Sequence, residues 1–92
     1  MIRSFRCRLT KRLFDDQAVP RFQEFERTAR KKLEMLNAAT SLEDLRWIPG
    51  NCLEALKHDR VGQWSIRINR RWRLCFEWCG GEADEVEIVD YH

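Results

Sequence analysis

Nowhere in the sequence do even ten hydrophobic residues follow one another, well short of the eighteen or so that a membrane span requires. Met1-Ile2-Arg3 does not open as a secretory signal does, so a cytoplasmic protein without a membrane partner is expected. CxxC pairs are absent, and Cys7, Cys52, Cys75 and Cys79 lack the spacing of a disulfide framework. On a strand, Cys75 and Cys79 would stand roughly 13 Å apart, too far to share one metal ion. Reduced, mostly packed thiols are expected. There is no HExxH spacing and no carboxylate cluster, hence no sign of a metal site. No repeat, low-complexity tract or linker divides the chain, so residues 1–92 are expected to form one domain.

What the chain does hold is enough to build a core. It has 92 residues, 43% hydrophobic and 11% aromatic, with four Trp, which excludes a disordered tail or linker. The net charge of +2 conceals a segregation of sign. Residues 1–33 carry ten Lys/Arg against four Asp/Glu. Residues 57–73 carry Lys57, Arg60, Arg67, Arg70, Arg71 and Arg73 against Asp59 alone. Residues 77–90 are purely acidic: Glu77, Glu82, Asp84, Glu85, Glu87 and Asp90. Two readings fit equally: a basic surface for a polyanion, or neighbouring strands whose charges cancel.

Hydrophobic spacing separates a helical half from a strand half. Ile2–Cys7 reads as a short strand and Thr10–Asp16 as a brief helix. A clearer helix starts near Pro20, a residue suited to a first turn, and places Phe22, Phe25, Ala29, Leu33 and Leu36 at steps of three or four. Its opposite side holds Arg27, Arg30, Lys31 and Lys32, favoured as a solvated face over a nucleic-acid contact. Thr40-Ser41-Leu42-Glu43-Asp44 has the form of a capping box, which predicts a short helical turn. After Pro49-Gly50-Asn51 the period becomes two. Leu53, Ala55 and Lys57 fall on one side of a first strand. Trp64, Ile66 and Ile68 alternate with polar residues in a second, Trp72, Leu74, Phe76 and Trp78 in a third, and Val86 and Ile88 in a fourth beyond Gly80-Gly81. Trp64, Trp72 and Trp78 read as core, whereas Trp47 is free to stack on RNA or dock a partner.

Parity then sets the register. Both central strands must turn their apolar residues to the same core, so Ile66 pairs with Leu74 and Trp64 with Phe76, joined through Asn69-Arg70-Arg71. That register puts Arg67 directly opposite Arg73, a like-charged pair that destabilises a sheet unless something negative lies beside it. A phosphate would relieve the repulsion, and so would a neighbouring acidic strand; the phosphate is favoured because guanidinium forks suit it. Lys57 could join either arrangement. The ending Asp90-Tyr91-His92 is either a frayed tail or an acid–base cluster. Beside arginines, such a cluster suits RNA cleavage, in which the 2′-hydroxyl attacks and no metal is required.

Met1-Ile-Arg-Ser-Phe5, Leu53-Glu-Ala-Leu-Lys57, Asp59-Arg60, Gly62-Gln-Trp-Ser-Ile-Arg67, Asn69, Trp72-Arg73-Leu-Cys-Phe76 and the ending Val86-Glu-Ile-Val-Asp-Tyr-His92 resemble HigB-type toxins of the RelE superfamily, over essentially the whole chain. The resemblance implies an α+β fold with an N-terminal strand and two helices packed on a mostly antiparallel sheet. It implies a bacterial toxin that enters the ribosomal A site and cuts the bound message without a cofactor. The partners it implies are the 70S ribosome with its A-site mRNA and a HigA-type helix-turn-helix antitoxin, through which alone operator DNA is met.

Carried over to this chain, the family's site is Lys57, Arg73, Asp90, Tyr91 and His92. Lys57 and Arg73 would hold the scissile phosphate, Tyr91 and His92 would handle protons and stack on a base, and Asp90 would orient its neighbours. Arg67, Arg70, Arg71 and Glu54 are expected to line the RNA path. Some relatives have a histidine where Glu54 stands; Glu54 is either a replacement base or, as favoured here, a salt-bridge partner of Lys57. His58 reads as a solvated loop residue. Two other classes remain open: a ParE-like toxin that blocks DNA gyrase, and a basic binding module that acts only as a co-repressor.

Overall fold

The computed structural model describes residues 1–90; Tyr91 and His92 lie outside the described residues. The chain is an α+β fold. Helices α1 (Arg8–Phe14), α2 (Glu26–Ala38) and α3 (Leu42–Arg46) precede strands β1 (Glu54–Ala55), β2 (Gln63–Arg67), β3 (Trp72–Cys79) and β4 (Glu82–Asp90). The strands form one antiparallel sheet in the order β1-β2-β3-β4. Among the described residues no helix is long and apolar enough to cross a membrane.

Pro20 opens a 3-10 turn over Pro20–Phe25, and the α-helix proper begins at Glu26. Phe22, Ala29, Leu33 and Leu36 are buried against the sheet, as their spacing requires, each large side chain contributing about 1.5–3 kcal/mol. Lys32 corrects the expected solvated face. It lies three residues after Ala29 and four before Leu36, inside the apolar stripe, and is only 8% exposed. Arg30 likewise turns inward at the helix edge and donates to the carbonyls of Leu13 and Gln17. The capping box of α3 is present: the Asp44 amide donates to Ser41 Oγ and the Ser41 amide to Asp44 Oδ2.

The β2–β3 hairpin has the register that parity demands, with Trp64 opposite Phe76, Ile66 opposite Leu74 and Arg67 opposite Arg73. Leu74, Phe76 and Ile66 are fully buried beneath the helices, and Trp64 and Trp78 pack at the margin of that core. Two expectations change. Residues Ile2–Cys7 are not a regular strand but a strap making two parallel bridges to β4, Ile2 to Ala83 and Phe5 to Val86. Between them β4 bulges: Glu85 has φ +53°, and the β3–β4 register shifts between Cys75 and Glu77. The extra residue breaks any continuous ladder and lets Ala83, Val86 and Ile88 all face inward despite their uneven spacing.

The first strand is also shorter than its alternation suggested. Glu54 and Ala55 are exposed, and Leu56 rather than Ala55 or Lys57 is the buried residue. Left-handed Cys52 (φ +47°) and His58 (φ +57°) bracket this segment, so period two cannot extend through Lys57.

Candidate functional site

Residues that stand opposite each other in an antiparallel pair share a face. Glu54, Ser65 and Cys75 therefore share one face of the sheet with Arg67, Arg73 and Val89, the face turned away from the helices. Arg73 is held firmly there, its side chain 13% exposed. Its Nε donates to Ser65 Oγ at 2.8 Å and its Nη2 to the Cys52 carbonyl at 2.7 Å. Arg67 bends the other way, donating from Nε to the carbonyl of Asn69 at 3.2 Å. The two guanidiniums thus diverge from one point of register, which is how the sheet tolerates them side by side.

Glu54 departs from its expected pairing. Its carboxylate lies 3.9 Å from Arg73 Nε, and among the described residues Lys57 makes no ion pair. The reason is geometric: Glu54 is opposite Ser65, on the face of Arg73, whereas Lys57 has already left the strand for the turn His58–Arg60. Exposed Lys57 instead lines a groove along the sheet edge with Glu54, Leu56 and His58.

Asp90 departs too. It is opposite Trp72, on the face that packs against the helices, and grips Arg71 through both carboxylate oxygens. Arg71 and Arg21 each lie 5.5 Å from the centre of the Trp72 ring, which stacks at 4.9 Å on Phe25. Exposed Arg70 lies beside this group at the hairpin end. The structure accordingly brings Glu54, Arg67 and Arg73 onto one face with Lys57 at its rim, and sets Arg70, Arg71 and Asp90 at the turn. Tyr91 and His92 lie outside the described residues.

The acidic strand is largely spoken for. Arg3 pairs with Asp84 at 2.8 Å and with Glu82 at 3.7 Å, Arg6 lies within 3.9 Å of Glu85 and 3.7 Å of Glu87, and Arg60 meets Glu87 at 3.0 Å. Strap and strand thereby cancel much of the sequence-level segregation. Among the described residues, Arg71 pairs with Asp90 at the end of β4, whereas Lys57, Arg67 and Arg70 form no ion pair with that strand.

Two features of Arg73's surroundings escaped sequence reading: Ser65, visible only as a polar residue in an alternating strand, and the Cys52 carbonyl, which no side-chain motif marks. The cysteines are free, but only Cys75 is buried, so the expectation of mostly packed thiols fails for Cys52 and Cys79, which are exposed. Burial pushes the Cys75 thiol up to about 11, leaving it an inert packed group. Trp47 is 76% exposed.

Comparison with known proteins places these features in context. The family described as RelE-like toxin of type II toxin–antitoxin system HigB matches residues 3–92. Toxin HigB-1 of Vibrio cholerae is 47% identical over 53 residues, covering 58% of this chain and 56% of that protein, so the match spans about half the length of that relative. Endoribonuclease HigB of Proteus vulgaris is 35% identical over 96 aligned positions that cover the whole of both chains. An uncharacterized protein of Haemophilus influenzae is 33% identical over 58 residues, 63% of this chain and 57% of its own length.

Proposed function

The chain belongs to the HigB family of RelE-like toxins of type II toxin–antitoxin systems, and from that premise we propose that it is an endoribonuclease cutting messenger RNA in the ribosomal A site. The observation that carries this reading is Arg73, fixed by Ser65 and Cys52 on the sheet face it shares with Arg67, with Lys57 at the rim. A guanidinium held rigid before its substrate arrives stabilises charge developing on a phosphate without reorganising in the reaction. The reading is also supported by the full-length similarity to an endoribonuclease.

In the proposed reaction the ribose 2′-oxygen forms a bond to phosphorus as the bond to the 5′-oxygen breaks. The products are a 2′,3′-cyclic phosphate and a 5′-hydroxyl. Arg73 and Lys57 hold the phosphate, Tyr91 and His92 remove and deliver the protons, and Arg67, Arg70 and Arg71 bind the flanking backbone, a role that phosphate–guanidinium geometry favours. Glu54, beside Arg73, tempers its charge. Asp90 acts through Arg71, fixing the turn from which these basic residues project. Residues 1–92 work as a single domain in the cytoplasm, neutralised by a HigA-type helix-turn-helix antitoxin that alone contacts operator DNA.

Primer extension on ribosome-bound message tests the reading. Wild type should cut within the A-site codon. Arg73→Ala should slow cleavage about 10²- to 10³-fold, the usual loss for one transition-state donor, and deletion of Tyr91 and His92 should abolish it, both with the fold retained. DNA breaks without message cleavage would instead identify a gyrase inhibitor, and normal growth under unneutralised expression a non-catalytic binding module.

A further inference from the structure

The Cys52 carbonyl that accepts from Arg73 belongs to a residue held in the left-handed region, at φ +47°, a conformation that side-chain-bearing residues rarely adopt unless their surroundings impose it. The imposing element is the preceding residue. Asn51 is fully buried and bonded at each of its polar groups. Its amide donates to the Ile48 carbonyl at 3.2 Å, and its carbonyl accepts from the Arg67 amide at 2.7 Å. Its Nδ2 donates to the Leu45 carbonyl at 3.0 Å and lies 3.6 Å from Met35 Sδ. Its Oδ1 accepts from the buried ammonium of Lys32 at 2.5 Å.

Lys32 is an unusual choice for that last contact. It sits in the apolar stripe of α2, and among the described residues no carboxylate pairs with it. A buried ammonium without a counter-charge is costly, and hydrophobic residues of similar size would pack the position at least as well. A strong donor aimed at Asn51 is what lysine supplies and methionine does not.

We infer that Lys32 and Asn51 are positioning residues for Arg73: the clamp between them fixes the left-handed Cys52 and aims its carbonyl at the Arg73 guanidinium. The connection runs from the interior of α2, through the turn after α3, to the far face of the sheet. The inference rests on the proposed role of Arg73 at the scissile phosphate. It gives the buried lysine a task in catalysis although Lys32 itself touches no substrate.

Single-turnover cleavage of ribosome-bound message, measured across toxin concentrations, tests it with wild type, Arg73→Ala and Lys32→Met, their folding checked by circular dichroism. Lys32→Met should lower the maximal rate constant at least tenfold while the half-saturating concentration stays within about twofold of wild type, and the Arg73 Nε–Hε resonance should shift. Lys32→Leu, which likewise removes the donor, is measured in the same way and takes the place of Lys32→Met if that variant does not fold. Wild-type rates in the folded Lys32 variant would overturn the inference while leaving Arg73's role standing. A weakened half-saturation with an unchanged maximal rate would overturn it equally. Full activity of Arg73→Ala would instead show that the underlying site assignment had failed.

Discussion

Asp90 accepts two hydrogen bonds from Arg71, from Nε at 2.9 Å and from Nη2 at 2.6 Å, and so ties the end of β4 to the β2–β3 turn nineteen residues upstream. The fork-to-carboxylate geometry is the strongest form of a side-chain ion pair, yet the Arg71 side chain is 62% exposed. Its cation also rests on the Trp72 ring. Geometry and solvent screening therefore pull in opposite directions.

Screening should decide the outcome for stability. Arg71→Ala is expected to lower the melting temperature only slightly at low ionic strength, and the difference should narrow in about 1 M salt, where the screening length of exposed charges falls to roughly 3 Å. Thermal melts of the two proteins at both salt concentrations check this.

Gly81→Ala should be far more damaging for so small a change. Gly80 and Gly81 occupy the two-residue β3–β4 turn at φ +60° and +82°, both left-handed, as a tight hairpin of this hand requires. An added Cβ on Gly81 would also meet the Thr40 carbonyl oxygen at 3.3 Å. A loss of about 1–2 kcal/mol is expected from the backbone alone, read as a lower urea midpoint with an unchanged slope.

Acid should expose the strap's contribution. The Arg3 guanidinium, through hydrogen bonds and its charge, holds the Asp84 carboxyl below its ordinary value of 3.8, with Ser4 Oγ assisting. A carboxyl depressed in the folded state stabilises the protein above its unfolded pKa and loses that effect as pH falls through the folded one. Wild type should thus lose stability progressively below about pH 4, and Asp84→Asn should flatten that limb while being less stable at neutral pH. Urea unfolding between acid and neutral pH measures both.

Alkali should reveal Lys32 with a slope of the same sign, although its buried charge weakens the fold at neutral pH where the Asp84 charge strengthens it. Burial lowers its pKa from 10.5, and the neighbouring Lys31 charge lowers it further. Between the folded value and 10.5 the unfolded chain holds more protons, so stability rises with pH there. Lys32→Met should remove that rise, which difference curves of unfolding free energy against pH will show.

The parts of the structure legible in the sequence are those governed by periodicity. Ile66, Leu74, Trp64 and Phe76 could be paired because strand parity favours a register that turns all four to the core side, and the placement of Arg67 opposite Arg73 followed from it. The α2 stripe was legible for the same reason, except at Lys32, where a charged residue type overrode a position that spacing alone assigns to the interior. Side-chain direction was not legible. That Glu54 turns to Arg73 rather than Lys57, and that Asp90 turns to Arg71, depends on where β1 stops and on the register of β4, which the left-handed Cys52 and His58 and the bulge at Glu85 decide. Neither bulge nor left-handed residue has a signature in a chain that places Glu, Cys and His there instead of Gly or Asn.

The strap's bridges to β4 join the first residues of the chain to nearly the last: Arg3 and Ala83, and Arg6 and Val86, meet through backbone hydrogen bonds. During synthesis the strap can reach Asn37 and α1 can pack on α2 early, but the bridges to β4, and the bond that the Thr10 hydroxyl accepts from the Ile88 amide, must wait until some eighty further residues have been made. While residues 82–90 are still threaded through the exit tunnel, the strap and the β4-facing side of α1 wait for their partner strand, so that edge of the molecule is the last to close.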